Sequence, residues 1–114
     1  PERDRVGHAL LFQIQGKTLP EPKPKFRFDP KNQDWTFDFA WPEYLVAAQV
    51  DAFAFVNRQH GEDWHFAEAC RKINRAQWLG WRVYWFTASQ VASNEAIQVL
   101  CEVLWAKKAH ARRP

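Results

Sequence analysis

The amino-acid sequence predicts an α/β domain, a mixed sheet of about four strands flanked by helices in the order α-β-β-β-α-β-α. Three observations lead there. Strand-like alternation runs from Lys25 into the apolar stretch ending at Val50. Helical spacing then takes over from Phe66 to Ala76, and a dense β-branched and aromatic run, Trp81 to Thr87, precedes a second helical pattern. Consecutive antiparallel strands followed by a helical crossover to another strand give a sheet of mixed direction.

Taking the elements in order, residues 2–15 read as a helix with Val6, Leu10, Leu11 and Ile14 as its apolar stripe and Gly16 as its stop. The Pro-rich segment Thr18 to Pro24 reads as a stiff connector without regular structure. Lys25-Phe26-Arg27-Phe28 alternates as a short strand, ended by Asp29-Pro30 and the polar Lys31-Asn32-Gln33. In the next strand Trp35, Phe37 and Phe39 are expected on one face and Thr36, Asp38 and Ala40 on the other. Leu45 to Val50 is the third strand, with a continuation through Phe53 and Phe55 in reach.

A loop over Trp41 to Tyr44 would set Asp38 across from Ala47 and Thr36 across from Gln49. Diagonal neighbours on one face lie about 7–8 Å apart. Asp38 and Gln49 are therefore expected to converge, with Asp51 further along the same face. The plainer expectation from spacing alone is a strand pair whose polar residues face water.

Beyond the polar loop Asn57 to Asp63, Phe66, Ala69, Cys70, Ile73 and Ala76 form the inner stripe of a helix closed by Gly80, with Glu68, Arg71, Lys72 and Arg75 outside it. Trp81 to Thr87 leaves no gap for solvent and reads as a buried strand. Ser93 is expected to cap the last helix, whose inner face is Ala96, Ile97, Leu100, Val103 and Leu104.

At 114 residues and 13.5 kDa, 46% hydrophobic and 25% charged, the chain is one folded domain, residues 1–114. Seven Trp are many for this length and suggest a subunit interface or stacking surface. Trp64, Trp78 and Trp105 are expected in the core or an interface. A net charge of +3 suits a polyanionic partner without requiring one, and the cations cluster at Arg71, Lys72 and Arg75 and at Lys107, Lys108, Arg112 and Arg113. Cys70 and Cys101 fall in helical apolar patterns and are expected as reduced, buried thiols. No signal-peptide pattern is present and no apolar run nears the roughly eighteen residues of a membrane span, which predicts a soluble, cytoplasmic protein.

Three blocks carry a resemblance: Thr36-Phe37-Asp38-Phe39-Ala40-Trp41-Pro42, then Gln49-Val50-Asp51, then Lys72-Ile73-Asn74. With Ala76, Leu79-Gly80-Trp81, Val83, Phe86 and Thr87 they cover most of the chain from Pro20 to Thr87. The chain resembles the PD-(D/E)XK nuclease superfamily, and more closely its small phage and bacterial members, including those like Holliday junction resolvases. That likeness implies a restriction-endonuclease-like core and a homodimer in a bacterial or phage-infected cell. It implies Mg²⁺-dependent cleavage of DNA, branched or otherwise structured, with Mn²⁺ as a substitute. The catalytic residues would be Asp38, Gln49, Asp51 and Lys72, with Lys72 taking the signature lysine's role because Asp51 occupies its position.

The departures are specific. Relatives usually carry Glu where this chain has Gln49 and Gly where it has Ala52. Resolvase-like members tend to carry an acid on the first helix where this chain has Gly7, beside His8. Glu2 lies about a turn and a half earlier. Gln49 has three open readings: a working amide, as in restriction-type relatives with Gln-x-Lys, a natural loss of activity, or a deliberate Glu-to-Gln exchange that keeps shape and removes charge.

Mg²⁺ takes hard oxygen ligands. Asp38 would supply a carboxylate, Gln49 an amide oxygen and Val50 a backbone carbonyl. Lys72 also has an ordinary reading, a solvated helix lysine paired with Glu68 at i, i+4. His60 and His65, around Glu62 and Asp63, match no closed zinc spacing. DNA phosphates would meet Lys25, Arg27, Arg58, His60, Arg71, Arg75 and the basic tail. The rival class is a catalytically inactive DNA-binding or interaction protein on a nuclease fold.

Overall fold

The computed structural model describes residues 2–50 and 62–111. The expected elements α1 (Glu2–Gln15), β1 (Lys23–Arg27), β2 (Thr36–Trp41), β3 (Val46–Val50), α2 (Glu62–Trp78), β4 (Arg82–Phe86) and α4 (Glu95–Ala111) are present. A short helix, α3 (Ala88–Ala92), was not anticipated. Asp51, Phe53, Phe55, Arg58 and His60 lie outside the described residues, as do Arg112 and Arg113.

The sheet order is β1-β2-β3-β4, antiparallel through β3 and parallel between β3 and β4. This is the mixed α/β sheet that the order of patterns predicts. The long crossover through α2 is what allows β4 to run parallel to β3. One face packs against α1, α3 and α4, where Phe39, Trp41, Val46, Ala48 and Val50 meet Val6, Leu10, Ile14, Val91, Leu100 and Leu104. The other carries Ala40, Ala47, Phe28, Phe37 and Trp81 against Ala76 of α2. Small Ala40 and Ala47 sit side by side in the register and leave room for that helix.

Several expectations are corrected. β4 is partly exposed along most of its length, because it forms a sheet edge. Pro24 belongs to β1, where an edge strand tolerates a missing donor. The connector before it is pinned by fully buried Trp41, whose indole donates to the Pro20 carbonyl at 2.7 Å. Leu45 is not in a strand: it closes a 3-10 turn over Pro42–Tyr44 with φ 54° and is exposed. Ser93 is the C-terminal cap of α3, and its hydroxyl also accepts the Glu95 N–H at the start of α4, at 3.4 Å. Thr87 caps α3 reciprocally with Gln90. Trp78 and Trp105 are exposed rather than core, Cys101 is buried, and Cys70 only half-buried.

The expected common face of Trp35, Phe37 and Phe39 also fails. Phe37 and Trp35 stack with Phe28 on the α2 side, the Phe28 and Phe37 rings 4.0 Å apart and nearly parallel, whereas Phe39 joins the opposite core. The break falls at Asp38. On the β1 side its register partner is Lys25, which has φ 48° and drops out of the ladder.

Candidate active site

The turn occupies four residues, 42–45, so Trp41 pairs with Val46, Ala40 with Ala47 and Phe39 with Ala48. Continuing that count puts Asp38 directly across from Gln49, two residues from the register expected with the turn one position earlier. A slip of two keeps every side chain on its face, and the expected convergence survives the error.

The ladder between β2 and β3 stops at Phe39 and Ala48, and side chains take over. The Asp38 backbone N–H donates to Gln49 Oε1 at 2.6 Å, and the Val50 N–H donates to Asp38 Oδ2 at 2.8 Å. Gln49 is 2% exposed, and its amide oxygen substitutes for a lost strand carbonyl. These bonds fix the Asp38 carboxylate against the backbone at the point where β2 and β3 part. Its other oxygen, Oδ1, accepts from the Arg3 guanidinium at 2.9 Å.

Lys72 reaches the same place from α2. It is half-buried, with its ammonium 5.9 Å from the centre of the Phe37 ring. The Lys72 pKa is lowered to about 8: burial lowers it most, the Asp38 carboxylate opposes that, and Arg3 lowers it further. The expected pairing with Glu68 gives way to other partners: Glu68 accepts from the Trp35 indole and from Arg71, both at 3.1 Å.

Asp38, Gln49, Val50 and Lys72 are thus brought together from β2, β3 and α2, while Asp51 lies outside the described residues. Arg3 is the member that sequence reasoning missed. One signal pointed to it. The resemblance puts a first-helix acid at the position of Gly7, and Arg3 lies four residues earlier on the same helix face. Gly7 lies close to the end of β3: a Cβ there would stand 4.0 Å from Val50 Cγ2. The side chain of Glu2 is not described.

The predicted phosphate contacts separate. Lys25, Arg27 and Arg71 are exposed, with Arg27 donating to Gln33 at 3.2 Å and Arg71 to Glu68. Arg75 has a structural duty instead. It donates to buried Asp29 at 3.1 Å and lies 5.1 Å from the centre of the exposed Trp78 ring. Among the described residues no group of three or more His, Cys, Asp or Glu could hold a metal, and no helix is long and apolar enough to cross a membrane.

Compared with family models, with curated proteins and with solved structures, the chain matches none.

Proposed function

We propose that this chain is a metal-dependent endonuclease of the PD-(D/E)XK kind, hydrolysing phosphodiester bonds in branched or otherwise structured DNA. The observation that carries the reading is the convergence of Asp38, Gln49 and Lys72, distant in sequence and joined at one gap in the sheet. The antiparallel β1-β2-β3 unit, the α2 crossover and parallel β4 support a restriction-endonuclease-like core.

The donor chemistry fits Mg²⁺ or Mn²⁺, since Asp38, Gln49 and the Val50 carbonyl offer hard oxygens. It fits weakly, because Gln49 adds no charge and Asp38 already carries Arg3. A bound cation would activate water and offset charge on the phosphoryl group. The chain's own part is to fix Asp38 by two backbone-linked hydrogen bonds and to present Lys72 with a pKa of about 8, where it holds a phosphate oxygen or exchanges a proton near neutral pH. A homodimer belongs to the proposal, and exposed Phe12, Leu45, Trp78 and Trp105 support it.

A second reading, a DNA-binding protein without catalysis, is favoured by one observation: neutral Gln49 and the Arg3–Asp38 pair leave little negative charge for a metal among the described residues. Cleavage of a labelled four-way junction and a linear duplex with Mg²⁺ and Mn²⁺ separates the two. The enzyme reading expects cutting by this chain or by Gln49→Glu, and none by Asp38→Ala. Binding without cutting by both of the first two would leave the second reading.

A further inference from the structure

We infer that the groove between the C-terminal half of α1 and the outer face of α4 is where a second copy of this chain docks, the Phe12 ring of each copy seated in the groove of the other. This contact gives the homodimer of the nuclease reading its surface, and it stands or falls on oligomeric state whether or not the chain cuts DNA.

Both helices carry apolar residues on two sides. Val6, Leu10 and Ile14 of α1 and Leu100 and Leu104 of α4 belong to the core, yet Phe12 is 78% exposed and Trp105 50% exposed. The two rings line one groove of about 480 Å³ together with buried Ile97 and Cys101, which leaves room for an aromatic side chain. The groove is built to stay apolar. The Trp105 indole donates to the Thr18 carbonyl at 3.3 Å, so its polar atom is already satisfied and only ring carbon is left to water. On α1 the residues a turn either side of Phe12 are the small, exposed Ala9 and Gly16, so the ring stands clear for a partner to enclose.

What selects a second copy as the occupant is that the patch is complementary to itself. It sets a knob, Phe12, beside a hollow, and a cation, Lys17, beside an anion, Glu102, and neither of these charges is in an ion pair among the described residues. A contact about a two-fold axis places each feature against its opposite, Phe12 in the partner's groove and Lys17 beside the partner's Glu102, and makes each contact twice. Area agrees with this. At roughly 280 Å² of exposed ring per copy, Phe12 and Trp105 supply about a third of a standard interface of ~1,600 Å². The flanking faces of α1 and α4, roughly 21 and 25 Å long, have the reach to supply the rest. Exposed Trp78 is the weaker anchor, because Arg75 already lies 5.1 Å from its ring centre. Arg3 and Phe12 are roughly 14 Å apart along α1, so the contact sits away from Asp38.

Sedimentation velocity of the full chain over a concentration series tests this, with circular dichroism to establish that each variant folds. The parent should dimerise, and Phe12→Asp should weaken the dimer roughly a hundredfold or more, because the ring is lost twice. Lys17→Glu and Glu102→Lys should each weaken it roughly tenfold by setting like charges together. Mixing those two variants should restore the dimer, since both contacts in the mixed pair again join opposite charges. A pairing within one chain could not be rescued in that way. Trp78→Ser should leave the dimer at the parent's strength. A parent that stays monomeric up to ~100 µM would overturn the proposal and leave the groove to another partner. A dimer that survives Phe12→Asp or is lost in Trp78→Ser would overturn it by placing the contact elsewhere, and so would a mixture no tighter than its two components. Should Phe12→Asp not fold, the charge exchange decides alone. None of these outcomes touches cleavage, so the nuclease reading fails only in the cutting assay and this contact only in assembly.

Discussion

Gln49 Oε1 accepts the backbone N–H of Asp38 at 2.6 Å, so a buried side chain stands in for strand pairing at the one place where β2 and β3 separate. Replacing it with Leu leaves that N–H without its acceptor and should cost about 1–3 kcal/mol, read from urea unfolding. Gln49→Glu keeps the acceptor but buries a second negative charge beside Asp38. Its melting temperature in EDTA should fall below the parent's and rise more steeply with added Mn²⁺. A Glu variant whose stability ignores Mn²⁺ would count against a cation site here.

Lys72 makes a pH prediction whose sign follows from its depressed pKa. Folding disfavours the protonated amine, so the penalty is fully present below pH 8 and disappears as pH rises from about 8 towards the ordinary lysine value of 10.5. Relative to Lys72→Met, the parent should therefore gain stability across that window. The difference between them should stay flat from pH 6 to about 7. Equilibrium unfolding of both proteins at matched ionic strength checks this, and parallel curves from pH 8 to 10.5 would mean the amine is solvated.

The parts of this site that could be read from sequence were those fixed by parity and period. Asp38 and Gln49 share a face whichever even register the turn selects, and Lys72 falls on a helix whose apolar stripe is plain. What escaped depended on neighbours that no local pattern encodes. The exposure of β4 follows from its being last in the sheet, and the reversal between Phe37 and Phe39 from the break opposite Lys25. Arg3 reaches Asp38 only because α1 folds back over β3, a contact spanning 35 residues. The fate of Arg75 was missed because its acid, Asp29, looked like part of a turn.

That acid is 4% exposed, and its carboxylate is held by the Lys31 amide at 3.0 Å and by Arg75. The Lys31 amide lowers the Asp29 pKa most, burial opposes it, and Arg75 lowers it further. Its stabilising effect is present above the ordinary carboxylate value of 3.8 and is lost as pH falls through the lowered one. Arg75→Ala should destabilise the fold at neutral pH, read as a lower urea midpoint than the parent's. The difference from the parent should shrink in acid, where Asp29 is protonated in both.

Arg71 and Arg75 lie four residues apart on α2 and should respond oppositely in DNA binding. Each phosphate contact on duplex DNA contributes about 0.9 to the slope of log affinity against log salt. Arg71 is exposed and, among the described residues, paired with a surface glutamate at 3.1 Å, so it can exchange that partner for a phosphate at little cost. Arg75 would have to abandon buried Asp29. Arg71→Ala should therefore flatten the salt slope by about one with little change in melting temperature. Arg75→Ala should lower the melting temperature and leave the slope near the parent's. Anisotropy titrations of a labelled junction from 50 to 200 mM salt, roughly the range over which such contacts are expressed, would read both slopes. A parent slope near zero would remove phosphate tracking from the account of α2 altogether.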